Sequence, residues 1–292
     1  MQTPAAKRAM RYHMIIKEAV ELFRQHQKGN AKKNTLRSYG RFLEQLQVRF
    51  HDQAVDSVSP DDISRFLEEC TEGLSKSTRH LRYAQMKAFF NYIIEVTDLN
   101  IKSPCNTASL SKTFKMVQHR PRKILDKETV DEIIFKSRSI RDRLILELQA
   151  RCGLRIGEVL NLHAADIHGR KLLIQEPKSG RDEEIAFMPE HISVRLAEYV
   201  ASQKLSPGDI VFPLCYSTMW NLVVGLGMQL NVRISPHDLR RHSATYASRN
   251  GVPLEIISKI LLRHQDLKTT QVYLGRISDT EAIRWMDILH GK

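Results

Sequence analysis

Between residues 102 and 123 the spaced apolar pattern of this chain breaks, and the break divides the fold. The stretch holds Lys102-Ser103-Pro104, Lys112, Lys115 and Gln118-His119-Arg120-Pro121-Arg122-Lys123, rich in cations and poor in periodic apolar residues. A proline-containing, strongly basic segment of this kind reads as an interdomain connector. The expected division is a helical domain over 1–105, a basic linker over 106–123 and a second domain over 124–292.

The first part reads as helices. Ile15, Ile16, Ala19, Val20, Leu22 and Phe23 recur at helical spacing, and Leu36, Tyr39, Phe42, Leu43 and Leu46 make a second such face. Ser59-Pro60-Asp61-Asp62 is a helix start, with a hydroxyl cap, proline in the first turn and acids at the positive dipole end. Ser77 opens a longer helix carrying Leu81, Tyr83, Met86, Phe89 and Tyr92. Four or five such helices form a small bundle.

Past the connector, helices are expected over 126–134 and 140–151, with Gly153 ending the second. A short helix begins at Arg155. Lys171 to Glu176 and Glu183 to Met188 are strand-like runs joined by a Pro177-Lys178-Ser179-Gly180-Arg181-Asp182 turn. Helices resume near Ile192. The fold class is therefore mainly α with a small antiparallel sheet, a helical bundle followed by a mixed α/β domain.

Charge separates the two parts. The chain carries a formal net charge of +12. Residues 1–122 hold 21 Lys and Arg against 12 Asp and Glu; residues 123–292 hold 24 against 21. A basic surface attracts polyanions, nucleic acid above all. Arg79, Arg82 and Lys87 on the Ser77 helix, with Lys115, Arg120 and Arg122 in the connector, are the candidate DNA-binding cations. Each alone reads first as a solvated surface residue; it is their excess as a set that points to DNA. The four cysteines, Cys70, Cys105, Cys152 and Cys215, lie too far apart in sequence for a metal-type pair and suit reduced thiols. The N-terminus has no apolar signal region, and no run is long enough to span a bilayer. A soluble protein is expected, in the compartment that holds DNA.

The chemistry-bearing residues lie in the second part. Ser235-Pro236-His237-Asp238 is a capped helix start, so His237 and Arg240 share the face of a first turn, at the end where an anion is favoured. Arg155 stands just after a helix stop, with Glu158 three residues on as a supporting acid. Lys178 sits on the hairpin turn, where an ammonium can protonate a leaving alkoxide; Arg181 and Lys171 are its rivals. The helix from Pro253, with Leu254, Ile257, Ile260 and Leu261 inward, ends near His264, and Tyr273 follows. Arginines bind phosphate as planar forks, and a phenol can act as a covalent nucleophile. Read singly, Arg155 is foremost a surface ion pair, Lys178 a turn lysine and Tyr273 a packing residue, while His237 and Arg240 read evenly as a site or as surface polar residues.

Taken in order, these segments resemble the tyrosine recombinases, the phage integrase family. The matching segments are Cys152-Gly153-Leu154-Arg155-Ile156-Gly157-Glu158-Val159-Leu160, Pro177-Lys178-Ser179-Gly180, His237-Asp238-Leu239-Arg240, and Leu262-Arg263-His264 through Thr269-Thr270-Gln271-Val272-Tyr273. The resemblance covers roughly residues 14–290 and implies a core-binding, SAM-like DNA-binding domain ahead of a catalytic domain. It implies that Tyr273 is the nucleophile forming a 3′-phosphotyrosyl link, that Arg155 and Arg240 clamp the non-bridging oxygens, and that His264 is a further donor. It also implies that His237 assists proton transfer at the tyrosine and that Lys178 is the general acid. No cofactor, metal or ATP is called for, and no Gly-x-x-x-x-Gly-Lys-Ser/Thr phosphate loop is present.

The implied partner is double-stranded DNA with inverted half-sites, bound by a dimer and then by a synaptic tetramer. No membrane partner is implied, and no accessory protein is specified. The architecture resembles the two-domain Xer-like and Cre-like recombinases, cytoplasmic and nucleoid-associated on DNA. The expected role is mobile-element integration or excision. A chromosome-dimer resolvase of the Xer type, a type IB topoisomerase and a non-catalytic DNA-binding protein of the same fold are the alternatives. One departure is visible: Arg263 stands where the family usually has Gly, which bears on the local geometry before His264 and not on the chemistry. A last helix is expected from Ser278-Asp279-Thr280-Glu281, with Ala282, Trp285, Met286 and Leu289 on one face. That helix packs on its own domain or docks on a neighbouring protomer.

Overall fold

The computed structural model describes residues 14–31, 33–97, 101–116, 124–175, 177, 183–274, 283 and 286–288; the side chains of Lys33, Val272 and Tyr273 lie outside the description. The chain forms two compact units, Met1–His119 and Arg120–Lys292.

The first unit is helical: α1 (Ile16–Asn30), α2 (Lys33–Phe50), α3 (Pro60–Cys70), α4 (Lys76–Val96) and α5 (Ala108–Thr113). Its core is aromatic. Phe23 meets Phe89 edge-on at 5.5 Å, and Phe66 meets Phe42 at 6.0 Å and Phe50 at 5.6 Å. Burying each such ring contributes about 1.5–3 kcal/mol. The α3 start follows the sequence: the Ser59 hydroxyl accepts from Asp62 N, and the Asp62 carboxylate accepts from Ser59 N at 3.1 Å. The long helix starts earlier than expected. Its cap is Ser75, whose hydroxyl accepts from Thr78 N at 3.2 Å, so Ser77 lies inside the first turn.

The basic stretch after α4 is more ordered than its composition suggests. Thr107 caps α5, whose Leu110 joins the N-terminal core with Phe114 beyond it. The Tyr83 hydroxyl donates to Cys105 O at 2.8 Å. Two buried apolar residues at short spacing suffice to dock a six-residue helix amid cations. Arg120 and Arg122 lie outside the described residues.

The second unit contains α6 (Lys127–Lys136), α7 (Ile140–Ala150), α8 (Ile156–Leu160), β1 (Ile167–His168), β2 (Lys171–Gln175) and β3 (Glu183–Phe187). After them come α9 (Glu190–Ser202), α10 (Tyr216–Gln229), α11 (Pro236–Arg249), the short α12 (Leu254–Ile256) and α13 (Leu267–Leu274). Helix α7 is the spine. Leu144, Ile145 and Leu148 enter one apolar cluster while Leu146 and Ala150 enter another, which is why its second half is buried all round. The sheet is antiparallel in the order β1-β2-β3, with Leu172 opposite Ala186 and Ile174 opposite Glu184. The two-residue β1 was not anticipated. Among the described residues no helix is long and apolar enough to cross a membrane.

A single π turn, Ile257–Leu261, follows α12. Its wider pitch changes the inward face. Ile257 and Leu262 are buried, whereas Ile260, expected inside, is 43% exposed. Most of the expected C-terminal helix, including Trp285 and Leu289, lies outside the described residues.

Candidate active site

Three backbone endings build the site. Helix α7 ends at Ala150, and the turn that follows reverses at Gly153, whose φ is +65°. A β-carbon there would lie 2.8 Å from Leu261 O, so only glycine admits this turn. The chain then restarts as α8 with Arg155 at its N-cap. The Glu158 carboxylate accepts from Arg155 N at 2.8 Å and from Arg155 Nη1 at 2.5 Å, so one acid caps the helix and orients the guanidinium.

Helix α11 supplies the second cation. Ser235 N and Oγ donate to Asp238 at 2.9 and 2.6 Å, with Pro236 in the first turn. Gln149 Nε2 donates to Pro236 O at 3.2 Å and fixes this helix start against α7. His237 is exposed on the first turn. Arg240 is only 1% exposed and donates to the carbonyls of Gly153 and Leu262. Those bonds hold its planar fork rigidly and tie all three endings together.

The third ending follows the π turn. Arg263 takes a left-handed φ of +52°. The chain thus keeps the turn that glycine would favour, although an arginine occupies it. His264 follows, with its N–H donating to Ser258 O at 2.9 Å. Its Nδ1 pairs with Thr270 Oγ1 at 2.9 Å, and Nε2 lies 3.5 Å from Arg240 Nη2. Burial first, then Arg240, Arg155, Arg263 and His237, push the His264 pKa down to about 4. The imidazole is therefore neutral near pH 7.

Arg155, His237, Arg240 and His264 line one cleft of about 440 Å³, together with Gln149 and Arg263. An electropositive hollow with rigid donors beside a helix N-terminus suits a phosphate. Burial tends to raise the Glu158 pKa, but Arg263, Arg240 and Arg155 outweigh it and hold the carboxyl below its usual range. Tyr273 belongs to α13, the helix that also contributes Thr269 to the cleft and Thr270 to His264. Lys178 and its rival Arg181 lie outside the described residues. Lys171 is exposed in β2.

In the first unit, Arg79 lies 5.3 Å over the Phe114 ring. Arg82 donates to Ser38 O at 3.1 Å and Gln85 Oε1 at 2.9 Å, so its fork is engaged in packing α4 on α2. Lys87 is half-buried and Lys115 exposed. Sequence reasoning missed Gln149, Thr270 and Glu184 as contributors. Only Glu184 left a signal: strand alternation puts this acid on the inward face with Ala186.

Residues 123–279 match the phage integrase family, and residues 20–96 match its N-terminal SAM-like domain. The tyrosine recombinase XerA of Pyrococcus furiosus is 28% identical over 287 residues, covering 90% of this chain and 91% of that protein. The Tn1549 transposon integrase bound to transposon right end DNA shares the fold at a TM-score of 0.76 and 18% identity, covering 94% of this chain and 99% of that one. A lambda integrase tetramer bound to a Holliday junction does so at 0.71 and 14%, covering 92% and 80%. With its motifs in order and its cations converging on one cleft, the chain belongs to the phage integrase family and is a tyrosine-type site-specific recombinase that cuts and rejoins DNA.

Proposed function

We propose that this recombinase serves integration or excision of a mobile element, and that the cleft of Arg155, Arg240 and His264 holds the scissile phosphate. The observation that carries the reading is the convergence of these three side chains, from elements over a hundred residues apart, on one cleft beside the helix bearing Tyr273. The Tyr273 phenolic oxygen attacks phosphorus, and its proton passes to His237. The bond from phosphorus to the 5′-oxygen breaks, Lys178 protonates that oxygen, and a 3′-phosphotyrosyl ester remains. The ester retains the bond energy, so reversal with a new 5′-hydroxyl reseals DNA without ATP or metal. Positioning and neutralisation of the equatorial oxygens supply the acceleration.

Residues 1–105 act as the core-binding DNA-binding domain and 124–292 as the catalytic domain; of the basic segment 106–123 between them, α5 docks on the first and the residues beyond it serve as the linker. Arg79, Lys87, Lys115, Arg120 and Arg122 are assigned to the DNA backbone; Arg82, whose fork is taken up by Ser38 O and Gln85, is left to packing. Protomers pair on inverted half-sites and form a synaptic tetramer, as the lambda integrase tetramer on a Holliday junction supports by its fold. The protein works in the cytoplasm, at the nucleoid when bound.

The XerA relative spanning 90% of the chain favours a second reading, a resolvase of chromosome dimers with the same chemistry. Trapping on nicked suicide duplexes separates the two. Adducts on DNA flanking the gene support the integrase; adducts only on a fixed chromosomal site support the resolvase. Absence of adducts on either, with a folded protein, contradicts both.

A further inference from the structure

We propose that Arg263 is a positioning residue of the phosphate clamp, joining the β-hairpin to the acid that orients Arg155. The proposal rests on the reading of Arg155 as a phosphate ligand. Arg263 is 4% exposed and holds a backbone conformation that costs any residue except glycine. Its guanidinium justifies that strain. Nη2 donates to Glu158 Oε2 at 2.6 Å, Nη1 donates to Leu261 O at 3.0 Å, and Nε lies 3.3 Å from Glu184 Oε2.

Glu184 is buried on β3, and neither of its carboxylate oxygens has a hydrogen-bond donor among the described residues. Arg263 is the cation facing it among the described residues. A buried carboxylate needs such a partner. Glu158 in turn is shared between Arg263 and Arg155, so the Arg263 bond fixes which way the acid presents its other oxygen to Arg155. The guanidinium groups of Arg155, Arg240 and Arg263 and the carboxylates of Glu158 and Glu184 leave this cluster one net positive charge beside the cleft. Arginine alone offers donors in a planar fork that reaches both acids; lysine offers a single point charge.

The inference predicts an unusual result: the glycine that would relax the backbone should damage this protein. The full-length chain is tested as Arg263→Gly, Arg263→Lys, Glu184→Gln and Arg263→Gly/Glu184→Gln, with Arg155→Lys as control. Melting temperature, affinity for nicked suicide duplexes carrying the flanking DNA, and the rate of covalent adduct formation at saturating protein are measured. Arg263→Gly should melt lower than the parent, and the double variant should recover most of that loss. Arg263→Lys and the double variant should bind DNA within about threefold of the parent yet form adducts ~10–10²-fold more slowly, the scale expected of a slightly misplaced catalytic group.

In ¹³C-histidine-labelled, folded Arg263→Lys protein the His264 titration should stay near its parental midpoint, since the charge is kept. In the double variant it should move up, since a nearby cation is gone. Adduct formation at the parental rate in both Arg263→Lys and the double variant overturns the proposal. So does a glycine variant that melts with the parent. Parental activity in Arg155→Lys would instead remove the clamp reading itself.

Discussion

His264 Nδ1 lies 2.9 Å from Thr270 Oγ1, and the Thr270 hydroxyl donates onward to Ser258 Oγ at 2.9 Å, which leaves the threonine oxygen to accept from the ring. Thr270 is fully buried, so this relay sets the ring's tautomer: the proton sits on Nδ1 and the Nε2 lone pair faces Arg240. His264 can donate from Nε2 only after gaining a second proton. The surrounding cations oppose that in free protein, and an incoming phosphodiester anion relieves the opposition. Titration of the labelled ring should show a midpoint near 4 without DNA and a clear rise on binding a phosphate-bearing duplex. A midpoint near the ordinary histidine value in free, folded protein would contradict the buried relay.

The same shift has a consequence for stability. An unfolded histidine titrates near ~6.5, so between that value and about 4 the unfolded chain binds a proton that the folded one refuses. The His264 contribution is complete above ~6.5 and is lost as pH falls through this window. His242, lowered chiefly by burial while its Nδ1 donates to Leu125 O at 3.0 Å, adds in the same direction. Denaturant midpoints should therefore fall from pH 7 to pH 5, and less steeply in His264→Gln. Equal slopes in the two proteins would remove His264 from this linkage.

Gly153 should be intolerant of even a methyl group. Alanine would face a left-handed φ and a 2.8 Å approach to Leu261 O, while Gly153 O receives a donor of Arg240. Backbone strain of ~1–2 kcal/mol and overpacking of ~1–3 kcal/mol predict a loss of about 2–5 kcal/mol in Gly153→Ala, read by chemical denaturation. Adduct formation should fall as well, because Arg240 and the His264 segment share this contact.

Thiol labelling should rank the cysteines sharply. Cys215 is exposed, and hydrogen bonds with Ser217 and Thr218 at 3.1 and 3.0 Å bring its pKa down to about 7. Burial pushes Cys105 and Cys152 up to about 12. At pH 7.5 iodoacetamide should modify Cys215 first and leave Cys105 and Cys152 untouched until the chain unfolds, as peptide mass mapping would record.

Salt should weaken DNA binding steeply. With ~6–10 phosphate contacts, affinity falls ~10³–10⁵ between about 50 and 200 mM salt. A nearly flat response would contradict backbone recognition by the basic N-terminal part and connector.

Much of the site could be read from local rules. Ser235 and Pro236 announced α11 and so the shared face of His237 and Arg240; Gly153 announced the stop that presents Arg155. The family pattern supplied the grouping. What sequence hid was tertiary. The π turn depends on packing rather than propensity, and it turned Ile260 outward. Helix α5 lies in a stretch whose cations masked the two residues that dock it, Leu110 and Phe114. Arg263 resembled a lost glycine because its partners, Glu158 and Glu184, lie far away in sequence.

The most direct test of the whole account is to digest the trapped protein–DNA complex and locate the nucleotide by mass spectrometry. The account predicts a single modified peptide, with a 3′-linked nucleotide phosphate on Tyr273, and no such species from Tyr273→Phe protein that still binds the duplex. A nucleotide found on any other side chain, or adducts persisting in the Phe variant, would contradict it.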